Sequence, residues 1–224
     1  AIAHLNDLYD HDQQRFRRPL TIDESEFIQN ERRICALDAR GYWLPNYAYI
    51  VDWKKKHSRF VANVAQNIIY DLWAESERRG SAIWMMNLKA RQLGVSTGAE
   101  LEVTRRVQFV PYTSAVVASA APDKTLTMSA MIKYCLDAQP WWLLPKITKV
   151  KSGIPVEFAE QHSTLAIEAG NQFTGVGRGT TPNVIHLSEV STWIDAEDLI
   201  EASLLPAIHD TPDVFGVLES TADG

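Results

Sequence analysis

Short apolar runs alternate with longer segments of helical periodicity along this chain. Four runs are short and mainly apolar, which is typical of buried strands: 82–88, 114–120, 183–187 and 214–220. Three segments between or beside them have the length and spacing of helices: 96–110, 122–138 and 196–208. Buried strands that alternate with helices are typical of a parallel sheet covered by helices on both faces. The pattern therefore predicts an α/β fold with a mostly parallel sheet.

An amphipathic helix is predicted ahead of the first apolar run, with Gly80 as its stop. Its apolar stripe recurs every fourth residue and is widened on one side: Phe60, Val64, Ile68 and Leu72, with Val61, Ile69 and Trp73. Farther along, residues 153–170 predict a hairpin. The aromatic-rich part of the first sixty residues, interrupted by Gly41 and Pro45, predicts irregular or short-stranded structure packed on a larger body.

Composition narrows the class of protein. With 224 residues, 46% hydrophobic and 22% charged, the chain can form one large domain with a substantial core. A net charge of -6 argues against a general nucleic-acid coat protein. Cys35 and Cys135 are far apart, so we expect two buried thiols and neither a disulfide framework nor a zinc site. The apolar runs are too short for a membrane span, and we expect a soluble, intracellular protein.

A candidate phosphate-binding loop, LKARQLGVST at 88–97, joins the first predicted strand to the next predicted helix. In the standard loop G-x-x-x-x-G-K-[ST], lysine follows the second glycine. Here Val95 follows Gly94, and Lys89 stands where the first glycine belongs. A lysine side chain is long and flexible, so it can approach the same phosphates from the opposite side of the loop. Taken alone, the loop is better explained as a strand-to-helix turn that carries exposed charges, so the interpretation depends on a second site.

A second candidate site follows the strand at 183–187, in the sequence VIHLSEV. A nucleotide hydrolase places a magnesium-binding group at such a strand end, followed by an acid that polarises the attacking water. Glu189 has the proton-accepting chemistry for the acid. Ser188 brings no negative charge and can hold a metal-bound water only by hydrogen bonding. The alternative is that Glu189 caps the following turn.

Together these motifs resemble the ATPase part of the large terminase subunit, the motor with which tailed bacteriophages pack DNA into a preformed capsid. Residues 89–97 resemble the family's deviant phosphate loop, and HLSEV with Trp193 resembles its acidic motif. ESTADG at 219–224 resembles its coupling motif, and GVGRGTTPNVIHLSE at 175–189 the segment before the acidic strand. The resemblance covers roughly residues 40–224. It implies a P-loop NTPase fold of the ASCE/RecA-like type, with ATP and Mg²⁺ as cofactors.

The resemblance also implies a role for each matching residue. The ATP-binding positions would be Gln66, Lys89, Ala90, Arg91, Gln92, Leu93, Gly94, Val95, Ser96 and Thr97. Lys89 and the backbone around Gly94 would hold the β- and γ-phosphates. Gln66 would read the adenine edge, unless it is simply a polar residue on the exposed face of its helix.

The metal and the catalytic groups would come from the two strand ends. Ser96 or Thr97 would ligate magnesium, and Ser188 and Glu189 would hold it through water. Glu189 would be the catalytic carboxylate. Ser220 and Thr221 would sense the γ-phosphate and transmit the change.

Hydrolysis also needs a cation on the charge that develops on the transferred phosphoryl group. No arginine or lysine follows Arg178 in the sequence. The arginine finger would therefore be Arg91 or Arg178 in cis, or an arginine from a neighbouring subunit. Arg178 lies among three glycines and is alternatively an ordinary surface-loop arginine.

The implied partners are double-stranded viral DNA, the portal protein, the small terminase subunit and further copies of the chain in a ring on the portal, in the host cytoplasm during virus assembly. No membrane partner is expected. Residues 1–58 would form a lid-like N-terminal extension and residues 59–224 the ATPase core, while the family's nuclease domain is expected to be absent from this chain. Two alternatives remain open: a helicase-like P-loop ATPase, or a degenerate, non-catalytic assembly module, which Val95 and Ser188 would favour.

Overall fold

A computed structural model describes residues 2–10, 15–52, 54–151, 154–169, 181–209 and 211–222. The strands are β1 Tyr9–Asp10, β2 Arg15–Phe16, β3 Tyr49–Val51, β4 His57–Arg59, β5 Ile83–Lys89, β6 Ser114–Ser119, β7 Ile147–Lys151, β8 Ile154–Phe158, β9 Ser163–Ala169, β10 Val184–Ser188 and β11 Phe215–Thr221. The α-helices are α1 Ile2–Asp7, α2 Ile22–Leu37, α3 Leu44–Tyr47, α4 Val64–Arg78, α5 Val95–Phe109, α6 Pro122–Asp137 and α7 Ala196–Leu199.

A seven-stranded sheet forms the centre of the described part of the chain, in the order β5-β11-β10-β6-β9-β8-β7. The first five of these strands are parallel, and β8 and β7 extend the sheet in antiparallel fashion. The predicted α/β class with a mostly parallel sheet is confirmed. The four apolar runs all form strands of this sheet, and the hairpin at 153–170 forms β8 and β9.

The main core lies between one face of the sheet and the helices α4, α5 and α6. Val103 and Val107 of α5, Ile132 of α6 and Val117 of β6 are fully enclosed there. The same cluster includes Ile28 of α2, so the N-terminal segment packs on the sheet's helical layer. On the opposite face, a smaller cluster packs Ile185 and Leu187 of β10 with Trp193 and Leu204. None of the helices in the described ranges is long and apolar enough to cross a membrane.

Charged side chains are buried along α5, which is enclosed on nearly all sides. Glu102 forms ion pairs with Arg105 and Arg106, and it is held ionised because these two guanidinium groups, against the opposing effect of burial, keep its pKa low. Arg105 also donates to the carbonyl oxygens of Cys35 and Ala36 at the end of α2. Arg105 therefore joins the end of α2, in the N-terminal segment, to the central helix α5.

The helix α4 forms, but its predicted apolar stripe is only partly right. Val64, Ile68 and Leu72 are 79%, 56% and 51% exposed. The buried face carries Ile69 and Trp73 of the predicted stripe, together with Gln66 and Tyr70. The large rings decide the orientation, because the Tyr70 hydroxyl donates to Gly98 O at 2.9 Å and Trp73 packs edge-on against Phe215.

The run at 82–88 was predicted to be a buried strand, but β5 lies at the edge of the sheet. Ile83 is buried, whereas Trp84, Met86 and Leu88 on the opposite face are at least 44% exposed. Within the described ranges, β11 is the neighbour that β5 pairs with, and no helix covers these three side chains. An apolar run alone does not distinguish an edge strand from a central one.

Two further helix predictions differ from the structure. The segment 196–208 is not one α-helix: α7 is followed by a π turn at Ile200–Leu204 and a 3-10 turn at Leu205–Ala207. Pro206 lacks the N–H that a continuous helix requires. Conversely, α2 was not predicted, although Thr21 and Glu24 form a capping box at its start.

We expect Arg105→Ala to lower the free energy of unfolding by about 3–5 kcal/mol, because it removes one of the two guanidinium partners of the buried Glu102 and the donor to two carbonyl groups. Arg79→Ala is the matched control, since Arg79 pairs with Glu75 at 2.6 Å but is 69% exposed; it should cost about 0.2–1 kcal/mol. Urea denaturation followed by circular dichroism measures both. Equal losses for the two variants would contradict the role assigned to Arg105.

Candidate functional site

Three parallel strands, β5, β11 and β10, end at the same edge of the sheet, where ligands bind in folds of this class. In the register, Lys89 lies opposite Thr221, and Ser188 lies opposite Glu219. A cavity of about 590 Å³ opens above these strand ends. It is lined by many of the predicted site residues, together with part of α6: Lys89, Arg91, Gln92, Ser96, Ser188, Glu189 and Thr221, with Lys124, Thr127, Met128 and Met131. Two motifs that lie a hundred positions apart in sequence therefore form one site.

The loop between β5 and α5 has the backbone of a tight anion-binding turn. Gln92 and Gly94 both have left-handed conformations, with φ of 65° and 72°. Gly94 stands at the N-cap of α5 and provides no side chain to cap the helix. The first N–H groups of this helix are thus left for a ligand, and the helix dipole favours an anion there. Ala90 and Leu93 are exposed within the turn, whereas the Val95 side chain is buried in the core.

The Lys89 side chain lies in the cavity and not in solvent, with 10% of its surface exposed. Its Nζ atom is 3.4 Å from Glu189 Oε1 and 3.8 Å from Glu219 Oε2. The displaced lysine therefore reaches the space above the strand ends from the first residue of the loop.

Glu189 is fixed by the end of β11. Its carboxylate accepts hydrogen bonds from the backbone N–H of Thr221 at 3.1 Å and from the Thr221 hydroxyl at 3.0 Å. Its backbone is left-handed, with φ of 55°, a conformation that costs free energy in a non-glycine residue. The side chain makes no capping bond to the following turn, so the alternative of a helix-capping glutamate is wrong.

The two predicted coupling residues have different contacts. Thr221 holds the Glu189 carboxylate, whereas the Ser220 hydroxyl is hydrogen-bonded to the backbone N–H and the hydroxyl of Ser191. Both residues therefore connect β11 to the turn that carries Glu189.

Beneath the cavity lies a buried charged cluster of Glu100, His186, Ser188 and Glu219 that sequence reasoning did not find. His186 contacts Glu100 at 2.6 Å and Glu219 at 3.2 Å, and the Ser188 hydroxyl donates to Glu219 at 3.0 Å. Burial would lower the pKa of His186, but the two carboxylates raise it to about 9. Burial would raise the pKa of Glu219, but His186, with smaller contributions from Ser96 and Lys89, lowers it. Glu219 is therefore an ionised carboxylate directly below the lysine and the two serines.

Gln66 lies at the second cavity beside the loop, which has a volume of about 610 Å³ and is lined partly by Gly94, Thr97 and Tyr134. The Gln66 side chain is 5% exposed, so the alternative of an exposed polar residue is wrong. Its oxygen accepts from the Asn63 N–H at 2.9 Å, and its NH₂ group donates to Gly94 O at 2.7 Å. One N–H of the amide is left over for a ligand, and adenine recognition stays a prediction.

The structure distinguishes the hydroxyl groups of Ser96 and Thr97, which the sequence analysis left as alternative magnesium ligands. Ser96 faces the cavity with Lys89, whereas the Thr97 hydroxyl points to Met131 Sδ at 3.9 Å. Ser96 is therefore the better-placed magnesium ligand. In the described ranges, no three His, Cys, Asp or Glu side chains are grouped so that they could hold a metal alone. Arg91 lines the cavity, and Arg178 lies outside the described residues.

Neither a protein-family model nor a curated protein matches this sequence. Among solved structures, the crystal structure of the HK97 bacteriophage large terminase matches 86% of this chain with a TM-score of 0.59 at 11% sequence identity. This chain shares the fold of a large terminase. The resemblance predicted from the motifs is thereby confirmed at the level of the fold. The chain spans 37% of the length of that protein.

We expect Gly94→Ala to destabilise the protein more than Gly80→Ala. Both glycines are left-handed, with φ of 72° and 64°, so each alanine should cost about 1–2 kcal/mol. A Cβ at Gly94 would lie 2.5 Å from the Gln66 amide nitrogen, whereas one at Gly80 meets nothing within 4 Å. Loss of the bond from Gln66 to Gly94 O should add about 1 kcal/mol. Urea denaturation tests this order, and equal losses would contradict the contact between the loop and Gln66.

Proposed function

We propose that this chain is the ATP-hydrolysing motor domain of a phage-type large terminase subunit, which powers translocation of viral DNA into the procapsid. One observation carries the proposal: Lys89 and Glu189 meet at 3.4 Å in a cavity beside an uncapped helix N-terminus. A cation, a carboxylate and free backbone N–H groups are the chemistry that phosphoryl transfer to water requires.

The two cavities match the two halves of a nucleotide. The triphosphate lies between Lys89 and the N-terminus of α5, where both the ammonium and the helix dipole attract its charge. The base lies in the cavity beside Gln66, which adjoins the first through Thr127 and Met131. Ser96 ligates Mg²⁺, with Ser188 and Glu189 holding its water molecules. When bound, the metal neutralises charge on the phosphate oxygens.

Glu189 acts as the group that orients and deprotonates the attacking water. In the structure its carboxylate is paired with Lys89. Lys89 exchanges this partner for a phosphate oxygen when the triphosphate binds, which releases one lone pair of Glu189 toward the water. Thr221 keeps its two hydrogen bonds to Glu189 and holds the carboxylate in place. The connection of Ser220 and Thr221 to the same turn supports a role in coupling hydrolysis to movement.

The proposal includes the partners that a packaging motor requires. These are double-stranded viral DNA, the portal protein, the small terminase subunit and further copies of the chain in a ring, in the host cytoplasm during assembly. A ring would place an arginine of a neighbouring copy at the site. Within one copy, Arg91 at the cavity and Arg178 in the glycine-rich segment are the candidates for the cation that stabilises the transferred phosphoryl group.

Lys89→Ala and Glu189→Gln should separate binding from hydrolysis. We expect both to lower magnesium-dependent ATPase activity by at least about 100-fold. Lys89→Ala should also weaken binding of a fluorescent ATP analogue, whereas Glu189→Gln should bind it at least as well as the native chain, because the partner that competes for Lys89 has lost its charge. Lys133→Ala is the control, since Lys133 is exposed and pairs with Asp137 on α6.

Hydrolysis unchanged in Lys89→Ala would overturn the role of the displaced lysine. Nucleotide binding without any hydrolysis in the native chain, alone or mixed with DNA, would instead favour a non-catalytic assembly module.

For the arginine finger, we expect Arg91→Ala or Arg178→Ala to lower turnover by about 100-fold or more with little loss of ATP binding. Steady-state hydrolysis and equilibrium binding of the same fluorescent analogue measure the two effects. If both variants hydrolyse ATP normally, neither arginine serves in cis, and the cation must come from another copy.

A further inference from the structure

We infer that Glu219 supplies, from the neighbouring strand, the carboxylate that the acidic motif lacks at Ser188. The inference rests on the proposed function, because it concerns how the same site holds a nucleotide-bound magnesium ion. Glu219 is in this view a positioning residue that acts through Ser188 and Ser96. The coupling motif ESTADG begins at Glu219, but the roles that the resemblance implied there belong to Ser220 and Thr221 only.

The register of the sheet places the Glu219 carboxylate beside Ser188, at the carboxyl end of β10. β11 lies between β5, which ends in Lys89, and β10, which ends in Ser188, and Glu219 is directly opposite Ser188. The Ser188 hydroxyl donates its proton to Glu219 Oε1 at 3.0 Å. A residue 31 positions later in the chain therefore provides a negative charge at the same strand end.

The second oxygen of the carboxylate points to the site without a hydrogen-bond partner. Glu219 is 1% exposed, and its Oε2 atom makes no hydrogen bond within the described part of the chain. This atom is 3.8 Å from Lys89 Nζ. A buried carboxylate oxygen that lacks a hydrogen bond is costly unless a ligand or a donor completes it. Ser96, at the start of α5, is the hydroxyl on the cavity side that can do so.

The charge of Glu219 is balanced mainly from below, by His186, with Lys89 on the cavity side 3.8 Å from its Oε2 atom. His186 is fully buried and lies between Glu219 and Glu100, with which it makes hydrogen bonds of 3.2 Å and 2.6 Å. A buried side chain that contacts both carboxylates and can carry a positive charge offsets the cost of burying Glu219. Glu100 holds His186 from the other side and also lines the cavity beside Gln66.

These contacts define what Glu219 does for the cation. Glu219 accepts a hydrogen bond from the Ser188 hydroxyl, and one from Ser96 would complete its Oε2 atom. Both bonds turn the lone pairs of the hydroxyls toward the cavity, where a hard cation and its water molecules prefer oxygen ligands. The negative charge of Glu219 also adds to the attraction. The pair of Ser188 and Glu219 thus performs, across two strands, the task that a single aspartate would perform on one.

The test measures the metal requirement of nucleotide binding. Binding of a fluorescent ATP analogue is followed in EDTA and during a Mg²⁺ titration, and Mn²⁺ binding to the same complex is followed by electron paramagnetic resonance. We expect Glu219→Gln to raise the Mg²⁺ concentration for half-maximal effect by about 10–100-fold, with little change in metal-free binding. Glu160→Gln is the matched control, because Glu160 is 44% exposed, pairs with Arg32 and lines neither cavity; it should leave the metal requirement within about 2-fold.

A rescue variant distinguishes a role in metal binding from a role in folding. Ser188→Asp combined with Glu219→Gln moves the charge to the neighbouring strand and should restore the native Mg²⁺ requirement to within about 3-fold, whereas Ser188→Asn combined with Glu219→Gln should not. This comparison of two variants of the same shape also holds if the single Glu219→Gln variant does not fold.

Three outcomes would overturn the inference. An unchanged metal requirement in Glu219→Gln, equal shifts in Glu219→Gln and Glu160→Gln, or equal behaviour of the two double variants would each remove the role of Glu219 while leaving ATP binding intact. Absence of nucleotide binding by the native chain, with or without Mg²⁺, would instead overturn the proposed function and this inference with it.

Discussion

Backbone pairing between three parallel strands determines the geometry of this site. β11 pairs along its whole length with β5 and over five residues with β10, so the three strands end within two residues of one another. This pairing brings Lys89, Glu219 and Ser188 together. A shift of one residue in either ladder would turn the side chains to the opposite face of the sheet. The central strand is therefore as important to the site as the loop between β5 and α5.

The burial of charge is the second constraint on this fold. Two clusters place ionised groups inside the protein, Glu102 with Arg105 and Arg106, and His186 with Glu100 and Glu219. Each pairs its charges internally, since an unpaired buried charge would be prohibitively costly. The three residues of the first cluster all lie on α5, and Arg105 attaches α2 to this helix through two carbonyl groups. The second stabilises a carboxylate directly beneath the site, so stability and chemistry share the same helix.

The sequence predicted the alternation of strands and helices well, because a parallel sheet needs nearly continuous apolar strands. It also predicted which motifs meet, since both follow strands. It could not predict the contact between Glu219 and Ser188, which depends on the order of strands in the sheet, and no local pattern records that order. The stripe of α4 was predicted only in part, because the rings of Tyr70 and Trp73 pack in the core and leave the aliphatic Val64, Ile68 and Leu72 exposed. The edge position of β5 could not be predicted either, because it also depends on the order of strands in the sheet.

The tip of β11 has mechanical consequences. Past the last paired residue, the N–H of Ala222 still donates to Lys89 O at 3.1 Å, while the adjacent Thr221 grips the Glu189 carboxylate. A single short stretch of backbone is thus tethered to both the positive and the negative pole of the cavity. A movement of this stretch would shift Lys89 and Glu189 together. A displacement at one end of the cavity would thus be transmitted to the other end without passing through the loop between β5 and α5.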